Sequence, residues 1–104
     1  MEKEVIRQRI KDIILKENPD AKVILYGSRA RGTELQESDW DILVLLTQPN
    51  VSFKDEQKIR HGLFEIELET GESISTFVYS QRDWDTRLSV TPLFKNVKRE
   101  GIYL

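Results

Sequence analysis

The chain has 104 residues, 38% hydrophobic and 33% charged, with a formal net charge of −2 at pH 7. That is enough apolar material for a modest core, and the slight acidity argues against a surface that grips duplex DNA by its phosphates. No cysteine is present, which excludes disulfides, thiolate metal sites and cysteine nucleophiles; the longest apolar run, Ile42 to Leu46, is far too short to cross a membrane.

Residues 3 to 17 put Ile6, Ile10, Ile13 and Ile14 on one side of a helix, with Lys, Arg and Glu opposite. Asn18-Pro19-Asp20 ends it, because proline disfavours a helical residue before it. Ala21 to Tyr26 reads as a short buried strand stopped by Gly27. After a polar stretch, Trp40 to Leu46 reads as a second strand, and its unbroken apolar run implies burial on both faces. Beyond a turn at Pro49-Asn50, Ser52 and Asp55 resemble a capping box for a helix to about Glu69 that aligns Ile59, Leu63 and Ile66. Ser73 to Tyr79, rich in β-branched and aromatic residues, reads as a third strand.

Ser80 is placed to cap a short helix containing Trp84 and Leu88. Thr91-Pro92 supplies an N-cap and first position for a last helix, ended by Gly101 as a C′ glycine. The apolar tail Ile102-Tyr103-Leu104 is expected to pack back. The start, MEKEVIRQRI, has no apolar segment of the secretory kind, and no repeat or linker breaks the chain. The expectation is one domain over residues 1–104, of α/β (α+β) class, with a small mixed sheet and helices packed on one side, in a cytoplasmic protein.

The stretch from Gly27 to Leu46, GSRARGTELQESDWDILVLL, carries the chemistry. Gly27 and Ser28 end a strand and open a turn, where free backbone N–H groups suit an anion. The Ser28 hydroxyl adds a donor, and Arg29 and Arg31 add positive charge. Asp39 and Asp41 lie two apart on an extended segment, so both face the same way while Trp40 points into the core. Paired carboxylates repel unless a cation joins them, and an oxygen pair of this kind suits Mg2+ or Mn2+ sharing a phosphate ligand. If the two strands run antiparallel, the turn and the acids meet at one sheet edge, a combination suited to metal-assisted nucleotidyl transfer. Gly27 to Thr33 superficially fits a phosphate loop, but its lysine is missing. His61 reads as a surface residue among charges, Trp84 as core, and Lys95, Lys98 and Arg99 as a solvated face.

Gly27-Ser28 followed after ten residues by Asp39-Trp40-Asp41 resembles the signature of the DNA polymerase beta nucleotidyltransferase superfamily, and GSRARG with SDWDILV resembles its minimal branch. The resemblance implies a polymerase-beta-like fold, Gly27 and Ser28 holding a triphosphate, and Asp39 and Asp41 acting as catalytic metal ligands. It implies ATP as substrate, a hydroxyl acceptor, and a protein partner: a helical HEPN-type toxin modified on a tyrosine, this chain being the antitoxin. A third carboxylate, expected on the next strand, falls at about Ser75, which is no acid. A second reading is therefore a nucleotide-binding module that neutralises its partner without turnover. Self-association and pairing with a partner both stay open.

Overall fold

The computed structural model describes residues 2–104. Helix α1 (Lys3–Glu17) is followed by strand β1 (Lys22–Tyr26), the short helix α2 (Ser28–Arg31) and strand β2 (Trp40–Leu46). Helix α3 (Phe53–Thr70), strand β3 (Ile74–Ser80), helices α4 (Gln81–Asp85) and α5 (Pro92–Glu100) and strand β4 (Ile102–Tyr103) complete the order. The helix starts are those the sequence marks: Ser52, Ser80 and Thr91 each accept a hydrogen bond from the backbone N–H three residues on.

The sheet order is β3-β2-β1-β4. β1 runs antiparallel to β2 and to β4, whereas β2 and β3 are parallel, so α3 serves as the crossover that a parallel pair needs. One face of the sheet presents Val23, Leu25, Trp40, Ile42, Val44, Leu46 and Val78 to Ile6, Ile10 and Ile14 of α1 and Ile59, Leu63 and Ile66 of α3. Full burial of each isoleucine contributes about 1.5–3 kcal/mol. Gly62 lets the two helices touch, since a Cβ there would overlap Ile13.

The expectation of helices on one side of the sheet holds for α1 and α3 but needs correcting for the rest. Ile24, Leu43 and Leu45 face the opposite way and pack with Trp84 of α4 and Val97 of α5, flanked by Tyr26, Tyr79, Leu93 and Phe94. β2 is thus buried on both faces, as its apolar run implied. Two further details differ. Gly101 caps α5 with extended rather than left-handed backbone (φ −64°, ψ 139°), and a glycine is needed there because a Cβ would press on Val97 O and, at 2.9 Å, on Ile24. The tail packs back by forming β4, where Ile102 pairs with Leu25 and Tyr103 with Ile24. Two residues are too few to show a strand's alternation.

Candidate active site

The turn and the acids converge as the sequence spacing suggests. The antiparallel register sets Tyr26 opposite Asp41, so the chain leaves β1 at Gly27 beside the residue on which β2 opens its polar end. Gly27 has φ 77° and ψ −160°, a region that only glycine occupies readily. A Cβ on Gly27 would overlap Asp41 Oδ2 and stand 3.1 Å from its Cγ. Backbone and carboxylate therefore approach one another at a point where no side chain fits. Ser28 follows as the first residue of α2, where the leading N–H groups have no partner within the helix. The Gly27 carbonyl accepts from the N–H groups of Ala30 and Arg31, which fixes the turn.

Asp39 is exposed and Asp41 half-buried. Trp40 between them is buried (1% exposed), so the alternation of an extended chain turns the two carboxylates to the other face. Burial pushes the Asp41 carboxyl above its usual range, and the Asp39 charge pushes it further; Arg31 opposes this and Glu100 adds to it. The Tyr26 hydroxyl is likewise pushed up to about 12, by burial first and by Asp41 second. This is a concentration of negative charge without full compensation inside the chain, which fits a cation. Among the described residues no group of three or more acids or histidines is arranged to hold a metal ion. Among the described residues Asp39 and Asp41 are the candidate pair, and a hard divalent ion between them would need water and substrate phosphate to complete its shell. In the parallel register, Ser75 lies opposite Asp41, so the neighbouring position on β3 does carry a hydroxyl where a third acid would stand.

Arg29 requires a correction. Expected to meet phosphate, its guanidinium is instead buried, with a side chain 4% exposed. It lies 4.4 Å from the centre of the Trp40 ring and donates to the Ser38 carbonyl (2.8 Å), the Gln36 carbonyl (3.3 Å) and Glu72 (3.4 Å). Its Nε and one terminal nitrogen are committed to the protein. Arg31 remains at the turn, half-exposed and paired with Glu100 at 2.7 Å. Glu67, Glu69 and Glu72 are likewise engaged, with the Ile74 N–H, Arg9 and Arg29 respectively.

Glu100 was not singled out from the sequence. As the last residue of α5, it accepts from the Gly27 N–H at 2.9 Å as well as from Arg31. A carboxylate of the chain itself therefore sits on the Gly27-Ser28 turn. The one available signal was an acid in the last turn of a helix, where the helix dipole favours cations.

Comparison with known proteins agrees with this geometry. Residues 7–97 match the family model for the nucleotidyltransferase domain. A Methanocaldococcus jannaschii protein described as a "putative protein adenylyltransferase" is 47% identical over 58 residues, which span 54% of this chain and 57% of that protein. Among solved structures, a "putative nucleotidyltransferase" from Sulfolobus solfataricus superposes with a TM-score of 0.63 at 18% identity, over 95% of this chain and 76% of the other. A toxin–antitoxin structure with AMP-PNP superposes with a TM-score of 0.62 at 17% identity, over 92% of this chain and 69% of the other; at such identities the likeness concerns the fold. With the Gly27-Ser28 turn and the two aspartates at one sheet edge, and most of its length matched, the chain belongs to the nucleotidyltransferase domain family.

Proposed function

We propose that this chain is a divalent-ion-dependent nucleotidyltransferase that transfers AMP from ATP to a hydroxyl group of a partner protein. The observation that carries the reading is the β1–β2 register, with Gly27 against Asp41. Ser28 and the turn N–H groups would hold the phosphates, with Arg31 adding charge, while Asp39 and Asp41 would hold Mg2+ or Mn2+. Held by Asp39 and Asp41, a divalent ion would supply positive charge to offset that of the α-phosphate and the departing pyrophosphate. In the transfer, the acceptor oxygen bonds to the α-phosphorus and gives up its hydroxyl proton to water, the bond from that phosphorus to the bridging oxygen of the β-phosphate breaks, and pyrophosphate leaves with that oxygen. The residues of this chain contribute orientation and charge placement, which dominate the catalysis of such displacements.

The protein acceptor is supported by the description of the M. jannaschii relative, and a toxin–antitoxin setting by that of the structure with AMP-PNP. Within this reading the acceptor is a tyrosine of a helical HEPN-type toxin, the chain is its antitoxin, and the pair works in the cytoplasm. Among the described residues no helix is long and apolar enough to cross a membrane. The test is incubation with α-labelled ATP, Mg2+ and the purified partner. Label should appear on the partner with wild type and not with Asp41→Asn; an unlabelled partner with the folded wild type contradicts the proposal.

One observation favours a second reading. Ser75 stands opposite Asp41 and supplies no carboxylate. A chain with two acids binds nucleotide and ion but turns over slowly, and neutralises its partner by covering it. Asp41→Asn separates the readings: neutralisation that survives this change comes from binding.

A further inference from the structure

The Arg29 side chain is buried far beyond what a surface cation of a short polar helix requires, and its contacts with Gln36, Ser38 and Trp40 lie on the segment that carries the acids. Its Nε and one terminal nitrogen both donate to the carbonyl of Ser38, the residue before Asp39, at 3.1 and 2.8 Å. The same terminal nitrogen reaches the Gln36 carbonyl and Glu72. The guanidinium lies over Trp40, the residue between the two acids, whose indole N–H donates to Glu72 at 3.3 Å.

Asp39 and Asp41 are held differently. Asp41 is fixed within β2, paired with Tyr26 on one side and Ser75 on the other. Asp39 precedes β2 at the end of the polar loop. The ties of that loop end are the Ser38 N–H to the Leu35 carbonyl and the Leu35 N–H to Ser38 Oγ within the loop, and, after Asp39, the Trp40 N–H to the Ser73 carbonyl at 2.8 Å. Among the described residues, the backbone before Asp39 thus has no other hydrogen-bonded hold outside the loop than Arg29. Arg29 joins the end of this loop to α2, the helix that carries Ser28. We infer that Arg29 is a positioning residue: its guanidinium clamps the backbone at Asp39 to the Gly27-Ser28 turn and so sets where Asp39 stands relative to that turn and to Asp41. The inference rests on the proposed divalent-ion site at Asp39 and Asp41. A planar fork that serves one carbonyl twice while stacking on an indole has no lysine equivalent.

The test is Mn2+ binding followed by electron paramagnetic resonance, with the fold checked by circular dichroism. Arg29→Lys should keep the fold and bind Mn2+ about 10–100-fold more weakly, as for other residues that orient metal ligands. It should also act through Asp39: in a double-mutant cycle, Arg29→Lys should add little to Asp39→Asn. Folded Arg29→Lys that binds Mn2+ like wild type, or losses that simply add, overturn the inference and leave the ion site standing. Wild type that binds no Mn2+ overturns the site and the inference together. Should Arg29→Lys fail to fold, the wild type still decides: the Arg29 Nε–H proton should exchange slowly and shift when Mg2+ is added. A rapidly exchanging, unshifted signal overturns the clamp.

Discussion

Gly27 and Asp41 occupy each other's space: the Asp41 carboxylate fills the position that a side chain on residue 27 would take. The turn that leaves β1 and the acid that opens β2 are thereby one unit. Gly27→Ala should disturb it twice, by the overlap and by a backbone conformation that costs a residue with a Cβ about 1–3 kcal/mol. The expected result is a lower melting temperature together with loss of ATP binding. Gly27→Ala that melts and binds like wild type contradicts the close approach.

The raised Asp41 carboxyl gives a pH signature. A carboxyl whose native pKa lies above its unfolded value keeps its proton in the folded chain when the unfolded chain has lost it. Its contribution to stability is complete below the ordinary carboxylate range and is lost as pH rises through the raised value. Without divalent ion, Asp41→Asn should therefore melt higher than wild type at neutral pH, with a domain of this size gaining roughly 4–8 °C per kcal/mol. Mg2+ should raise the melting temperature of wild type and leave Asp41→Asn unmoved. Scanning calorimetry at pH 5 and pH 7.5 reads both effects, and the gap between variant and wild type should shrink at the lower pH.

Glu100 holds the Gly27 N–H and Arg31, donors that lie where phosphate is proposed to bind. Glu100→Gln keeps the shape and removes the competing charge. Mg2+-ATP should then bind about 3–10-fold more tightly, a difference near 1 kcal/mol on the usual affinity scale. Fluorescence titration with an ATP analogue measures it; equal or weaker binding contradicts competition at the turn.

Ser75 faces outward opposite Asp41. Ser75→Asp should add a third carboxylate to the pair, raising Mn2+ affinity by about tenfold in the range that ligand-shell changes produce. It should also lower the melting temperature in chelator, because another like charge joins the pair. Unchanged Mn2+ affinity would place the ion away from Asp41.

Most of the fold was legible because its signals are local. The α1 stripe at Ile6, Ile10 and Ile14, the caps at Ser52, Ser80 and Thr91, and the two-faced apolar run of β2 each sit within a few residues. The candidate site was legible only in part: the spacing of Gly27-Ser28 from Asp39 and Asp41 named the residues, but their meeting depended on an antiparallel pair, which a connection of this length does not decide and the register supplies. What escaped depended on distant contacts. Glu100 meets Gly27 across 73 residues, and charge patterning does not reveal that pairing. Arg29 reads as a phosphate-binding cation until the carbonyls of Gln36 and Ser38 and the Trp40 ring are seen around it. The second helical layer escaped because α4 and α5 are short, and the apolar residues that seat them, Trp84 on α4 and Leu93, Phe94 and Val97 on α5, do not say which face of the sheet they cover.

Calorimetric titration of wild type and Asp41→Asn with ATP, in Mg2+ and in chelator, tests the proposed site most directly. Saturable binding by wild type in Mg2+, weakened at least about tenfold by chelator and by the substitution, is the predicted result. Binding that is indifferent to both Mg2+ and Asp41, or no binding by the folded wild type, would contradict it.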